Sequence, residues 1–422
     1  MKLLHVEKRT SNDKVRLVGI VQMDSLSQEI ELYFEYPQRF ADFVIESADA
    51  FVPALLLPAM ERGENLDIKP PISEKLLLNS RNIQDIIYQW YPETFKKVTV
   101  SAERPTKYEP HTSNQVGAFF SLGVDSFYTF HKHLSSSNPV LPHISHLIHM
   151  KGIEFPLHYY RDNQEQAVNT RIKDVAKETG IDVIFGETNI RTHFPLKWGQ
   201  HYHGAGLASV ALSLSGGLKS VLIPSTDSYK TIFHWGSSPL FDHWWSTEKT
   251  SIFHDGSEVE RAEKTAKFLP QDALAKKYLR VCLKNYGSET NCGRCTKCVR
   301  TMLPLYVSGQ LSMFKTFPDQ LPKDWTKILH INDEHDLSHA EAILELGKEY
   351  NGEPKVLTSL SRKIELARYA IFFKQQNLLT AIKSIIFVFL IQPIIQQVDN
   401  LLGQPQIKRL QDTLHRLVNP AH

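Results

Sequence analysis

Gly117-Ala-Phe-Phe-Ser121-Leu-Gly-Val-Asp125-Ser126 joins an apolar run to a turn bearing hydroxyls and a glycine, and that turn to a helical pattern. Backbone N–H groups left free at the first turn of a helix, aligned with its dipole, make a site for anions, and Ser121 and Ser126 add hydroxyl donors. The stretch therefore reads as a strand end, a phosphate-binding turn and a helix start. The plainer reading is a structural turn in which Asp125 is the helix N-cap, a role that can coexist with a functional one.

Outward from this turn, strand and helix patterns alternate. Strands are expected over 116–120, 144–149, 182–186 and 220–224, and helices over 125–134, 164–179 and 202–214, with Val168, Ile172, Val175 and Thr179 on one helical face. Such alternation implies an α/β unit, a parallel sheet with helices on both faces and right-handed crossovers. In open sheets of this kind ligands bind beyond the carboxyl ends of the strands, which is where the Ser121 turn leaves the first one.

Upstream, 15–21 and 30–36 read as the two strands of a hairpin, followed by helices over 48–60 and 80–90. In the second helix Ile83, Ile86, Ile87 and Trp90 fall at offsets of zero, three, four and seven. A charged, twice-proline stretch over 102–110 is expected to be a linker. Downstream of Met302 the chain turns helical, with candidates over 340–350, 361–375, 378–391 and 406–417. The expected domains are a small N-terminal α/β unit over 1–112, the alternating unit over 113–303 and a helical region over 304–422.

Composition narrows the function classes. At 422 residues the chain exceeds the size of a single growing core. Lys+Arg 48 against Asp+Glu 46 leaves no excess charge for a general nucleic-acid or membrane coat, so direct nucleic-acid binding is not expected. The N-terminus is charged from the start, unlike a secretory signal, and the apolar run over 385–391 is too short to span a bilayer, so no membrane segment is expected. All four cysteines, Cys282, Cys292, Cys295 and Cys298, lie close together, unlike a disulfide framework, and a reducing, cytoplasmic location is expected.

Cys282, then Cys292-Gly-Arg-Cys295-Thr-Lys-Cys298, is the most specific signal in the chain. Two overlapping Cys-x-x-Cys turns bring three thiolates to one point and Cys282 completes a tetrahedron, which suits structural zinc (Zn2+). Gly293 permits the tight turn. An iron–sulfur cluster is the competing occupant, since tight Cys-x-x-Cys-x-x-Cys runs also hold such clusters.

Apart from Leu122, the 121–126 turn matches the Ser-Gly-Gly-x-Asp-Ser signature of the N-type ATP pyrophosphatases. Together with the cysteine knot, the stretch over 116–303 resembles the 7-cyano-7-deazaguanine synthase family, with flanking segments extra to it. The resemblance implies an adenine nucleotide alpha hydrolase-like fold and ATP with Mg2+ as nucleotide. It implies an ATP-dependent carbon–nitrogen ligase that adenylates a carboxylate, releases pyrophosphate and forms an amide- or nitrile-type bond. Asp125 and Ser126 would be catalytic, and Ser121, Gly123, Asp125, Ser126, His203 and Gly204 would hold the nucleotide. The acceptor would be a deazapurine or a peptide or protein terminus. The flanking regions point to protein partners in a multi-protein modification or antiviral defence system, and a second copy of the chain is a further expected partner.

Leu122 replaces the first glycine of the signature and leaves three readings: an active turn with altered geometry, a turn for another anion, or a degenerate site. The interleaved aromatic, hydroxyl and acidic residues over 225–256 read as a substrate pocket holding Asp227, Asp242, Trp245 and Glu248, or as a loop packed by its own tryptophans. Two alternative functions stand beside the ligase. One is nucleobase modification of tRNA, which by a persulfide route needs a free cysteine nucleophile; the other is a non-catalytic nucleotide-binding scaffold.

Overall fold

The computed structural model describes residues 1–422 except 24–28, 136–140, 161, 195, 286–287, 289 and 376–422. The helices expected over 378–391 and 406–417 lie outside the described residues. The N-terminal part runs β1 (Lys2–Thr10), β2 (Lys14–Gln22), β3 (Glu29–Pro37), α1 (Phe51–Arg62), β4 (Leu66–Ser73), α2 (Glu74–Trp90) and β5 (Val100–Thr106). The expected hairpin is β2 and β3, antiparallel from Lys14 opposite Pro37 to Gln22 opposite Glu29. Residues 102–106, expected as linker, instead complete β5, parallel to β4 at the sheet edge. An edge strand tolerates Pro105 because its missing N–H costs no ladder bond on the open side.

The alternating part follows as β6 (Val116–Phe119), α3 (Val124–Ser135), β7 (His146–Lys151), α4 (Asp162–Thr179), β8 (Asp182–Thr188), α5 (His203–Ser213), β9 (Ser220–Pro224) and β10 (Ser251–Asp255). Five strands from β6 to β10 are parallel, in the order β10-β9-β6-β7-β8. The β10 segment carried no strand pattern, being short and polar, yet Ile252 pairs with Val221.

Successive side chains of a strand point to opposite faces, and here each face has its own core. Val116, Ala118, Phe120, Leu147, Val183 and Leu222 enter one apolar cluster. Phe119, Ile148, Met150, Ile184, Val221 and Ile223 enter another. Both faces are thus covered, as near-continuous apolar strands require. The first cluster takes in Phe127 and Phe130 of α3 and Val168, Ile172 and Val175 of α4. On the other face α5 is buried from Gly204 to Ser213, and α1 packs against it.

The N-terminal strands continue the same sheet. Antiparallel pairing of Phe34 with Thr188 and Glu35 with Glu187 joins β3 to β8, giving ten strands in the order β10-β9-β6-β7-β8-β3-β2-β1-β4-β5. One apolar cluster runs from Met1 and Leu3 to Trp245 and Ile252. Residues 1–112 therefore share both a sheet and a core with the alternating part.

After β10 the chain forms α6 (Arg261–Glu263), α7 (Ala273–Tyr278), α8 (Thr296–Val307), α9 (Trp325–Ile328), α10 (Glu334–Glu349) and α11 (Pro354–Gln375). Helix α8 faces two ways. Met302 and Leu305 join the α3/α4 cluster, while Val299, Leu303 and Val307 join a third core with α10 and α11. No helix among the described residues is long and apolar enough to cross a membrane.

Candidate nucleotide cavity and metal knot

Strand order reverses at β6. Helices α3 and α4 carry the chain from β6 to β7 and β8, and the next crossover returns it to β9 on the other side of β6. Such switch points open a crevice at the carboxyl ends of the strands. A cavity of about 550 Å³ lies there, lined by Phe119 and Phe120 at the end of β6, Ile148 to Met150 of β7, and Pro224 and Thr226 at the end of β9.

The turn between β6 and α3 forms one wall. Ser121, Gly123, Asp125 and Ser126 all line the cavity. Ser126 Oγ donates to Gly123 O at 3.0 Å and accepts from Ser121 N at 3.3 Å, closing the turn on itself. Leu122 adopts φ 63°, the left-handed conformation that glycine takes freely, and its side chain is fully buried in the α3/α4 core. That conformation costs a leucine roughly 1–2 kcal/mol. Burial of a leucine side chain, worth about 1.5–3 kcal/mol, offsets it. The turn therefore holds a leucine in the backbone conformation that glycine adopts freely.

Asp125 turns both carboxylate oxygens to donors: Arg261 Nε to Oδ1 at 3.2 Å and Thr226 Oγ1 to Oδ2 at 3.1 Å. Four cations line the cavity, Arg261, Arg280, Lys297 and Arg300. Arg280 is paired with Glu154 at 3.1 Å and Arg300 stands 3.6 Å from Asp336. Among the described residues no hydrogen bond or ion pair competes for the ammonium of Lys297, whose side chain is exposed into the cavity; the desolvation by the protein around it lowers its pKa. Desolvation also lowers Arg300 to about 10, which leaves it charged at neutral pH. His203 lines the same cavity, and burial pushes it down to about 4, so its imidazole is neutral at pH 7. Ile153, Trp198, Leu207 and Trp235 supply apolar and aromatic wall.

The cysteine knot sits behind this wall. Cys282, Cys292, Cys295 and Cys298 offer sulfur atoms all within 4.8 Å of one another, with Cys295–Cys298 at 3.4 Å, Cys292–Cys298 at 3.8 Å and Cys282–Cys295 at 3.9 Å. A tetrahedron with metal–sulfur bonds of about 2.3 Å has edges of about 3.8 Å. The site is thus sized for a single ion such as zinc, whereas a cluster with a different iron behind each thiolate would hold the sulfurs farther apart. Asn285 N and Arg294 N donate to Cys282 Sγ and Cys292 Sγ at 3.2 and 3.4 Å. Gly293 has φ 66°, and a Cβ there would meet Pro318 Cγ at 2.8 Å. Two cavity cations belong to the knot itself: Lys297 lies between two of its cysteines, and Arg300 two residues beyond the last.

Other residues expected at the site lie elsewhere. Gly204 is not in the lining; its N–H donates to Gly236 O at 2.6 Å, and a Cβ would meet Asp242 Oδ1 at 2.4 Å. Asp242 is fully buried, accepting from Ser237 Oγ at 2.6 Å with His254 Nδ1 2.7 Å away. Serine and carboxylate meet the same imidazole nitrogen, so no Ser–His–Asp relay forms. Trp245 is a core residue. Glu248 accepts from Ser73 Oγ at 2.6 Å and Lys75 N at 2.9 Å, at the start of α2. Asp227 points to α10, with His335 Nε2 at 2.8 Å. Acidic and aromatic residues in a patternless stretch serve a core as readily as a ligand, and here the stretch from 237 to 248 packs against the N-terminal helices.

Sequence reading missed Arg261, Arg280, Glu154, Lys297 and Arg300. Of these only Lys297 and Arg300 left a signal, as basic residues interleaved with or next to the cysteines. No protein-family model, no curated protein and no solved structure matches this chain.

Proposed function

We propose that this chain is an ATP-dependent carbon–nitrogen ligase that adenylates a carboxylate on a deazapurine or on a peptide or protein terminus. The observation that carries the reading is the convergence of the Ser121–Ser126 turn and four cations, Arg261, Arg280, Lys297 and Arg300, on one cavity at the strand switch point. The substrate is the magnesium complex of ATP, whose triphosphate needs this density of donors and positive charge. The zinc-type knot is structural: its residues set the helix that carries Lys297 and Arg300.

A carboxylate is a poor electrophile, and adenylation supplies a leaving group. One carboxylate oxygen attacks the α-phosphorus, the bond to the β-phosphate oxygen breaks, and pyrophosphate departs. The turn N–H groups, Ser121 and Ser126 hold the β- and γ-phosphates, and the cations stabilise charge as it moves onto the leaving group. Asp125 keeps Arg261 and Thr226 aimed at the cavity. Ammonia or a primary amine then adds to the acyl carbon, loses a proton and expels AMP.

A persulfide-based base thiolation is disfavoured because all four cysteines belong to the knot. The test is ATP labelled at the α-phosphate, incubated with deazapurine carboxylates and peptides. AMP and pyrophosphate formed only with a carboxylate support the ligase; ADP and phosphate, or binding with no turnover, refute it.

A further inference from the structure

Asp227, His335 and His339 form a second cluster of metal-ligating atoms, apart from the cysteine knot. The histidines sit one turn apart on α10, and Asp227 comes from the loop after β9. His335 Nε2 lies 2.8 Å and His339 Nε2 3.8 Å from the same oxygen, Asp227 Oδ1. One nitrogen from each ring and one carboxylate oxygen therefore converge, all within 4.8 Å of one another.

Hydrogen bonding alone does not account for the arrangement. His335 satisfies Asp227, but His339 Nε2 is buried with no hydrogen-bond partner, on a side chain only 10% exposed. A buried polar atom without a partner costs about 1–3 kcal/mol. The rings are also braced for one orientation. His335 stacks on Trp235 at 5.2 Å and 17° and meets Phe233 edge-on at 5.0 Å, and the two imidazoles pack edge-on at 4.6 Å. The neighbouring acids are used otherwise: Asp333 caps α10 by accepting from Asp336 N at 2.9 Å, and Asp336 accepts from Asn332 N and faces Arg300.

We propose that Asp227, His335 and His339 bind a divalent transition-metal ion of the zinc or cobalt type. Two imidazoles and one carboxylate suit such ions and leave coordination positions open. His335 lines the cavity, so an open position is within reach of a cavity ligand. The proposal stands independently of the nucleotide reading, since it predicts metal content and not turnover.

The test uses the full chain, stripped with a chelator, refilled with Co(II) and desalted, with cobalt counted per chain by mass spectrometry. Two equivalents are expected in the wild type, one giving the intense thiolate charge-transfer bands of the knot and one giving only weak visible bands. His339→Gln and, as a second variant, Asp227→Asn should each hold one equivalent, keep the thiolate bands and retain the wild-type circular dichroism. One equivalent in the wild type, or two in both folded variants, overturns the site.

Discussion

The backbone N–H of Arg280 donates to the carbonyl of Leu122 at 2.8 Å. Arg280 lies two residues before the first cysteine of the knot, and Leu122 is the left-handed residue of the turn. The cysteine knot and the Ser121–Ser126 turn are therefore linked directly. Metal binding at Cys282, Cys292, Cys295 and Cys298 would set the turn from one side and place Lys297 and Arg300 from the other.

Metal removal should accordingly be felt at the cavity. Chelation, or Cys298→Ser, is expected to lower the melting temperature and to weaken binding of a fluorescent ATP analogue at least tenfold, a loss of about 1.4 kcal/mol or more. Titration of the analogue before and after stripping checks this. Unchanged affinity in a metal-free, folded chain would separate the knot from the site.

Leu122→Gly isolates the departure from the signature. The substitution relieves about 1–2 kcal/mol of left-handed strain but deletes a fully buried leucine, typically about 2–5 kcal/mol when only Ala remains. A net destabilisation of about 1–3 kcal/mol is expected in denaturant unfolding. Nucleotide affinity should stay within about threefold, because the backbone already has the glycine conformation.

Lys297→Met removes an exposed cation of the cavity wall that has no ion pair among the described residues, and Arg300→Met removes one that stands 3.6 Å from Asp336. Nucleotide affinity should fall by about 10- to 100-fold in each, with the unliganded melting temperature unchanged in Lys297→Met and lowered in Arg300→Met, which leaves Asp336 without its partner. Thermal scans with and without nucleotide read both quantities at once. A variant that binds nucleotide as the wild type does would remove its residue from the cradle.

Asp49 offers a pH signature unrelated to the cavity. It is buried, accepts from Ser73 N at 2.8 Å, and desolvation raises it from 3.8 to about 7. Between those pH values the folded chain binds more protons here than the unfolded chain does, so this group's contribution to stability falls as pH rises through the window. Asp49→Asn abolishes that loss and keeps an acceptor for Ser73. Its melting temperature relative to wild type should rise from pH 5 to pH 8, a gain of about 1–3 kcal/mol. A constant difference would place the titration elsewhere.

The alternating unit was legible because each of its buried strands is a short apolar run between helical patterns, and the knot because four cysteines sit at ligand spacing. Strands β1, β4, β5 and β10 were not. Lys2–Thr10 carries charges, and Val100–Thr106 charges and one proline, that a half-exposed or edge strand tolerates, so no period-two pattern marks them. The continuity of the sheet through Phe34 and Thr188 is a tertiary pairing that no local pattern encodes. At the site, Ser121, Gly123, Asp125, Ser126 and His203 were readable from one motif and one helix entry. Arg261 and Arg280 come from irregular segments, and their convergence depends on how α6 and the knot fold back over the strand ends. Asp242, Trp245 and Glu248 misled because buried polar groups held by Ser237, His254 and Ser73 look, in sequence, like ligand contacts.

In the proposed reaction a carboxylate oxygen of the acceptor attacks the α-phosphorus of ATP. The most direct measurement uses an acceptor whose carboxylate carries 18O and mass spectrometry of the AMP released on C–N bond formation. Transfer of one 18O atom into AMP is predicted, with none in inorganic phosphate, and Asp125→Ala should abolish it. AMP free of the label, or label recovered in inorganic phosphate, would contradict adenylation.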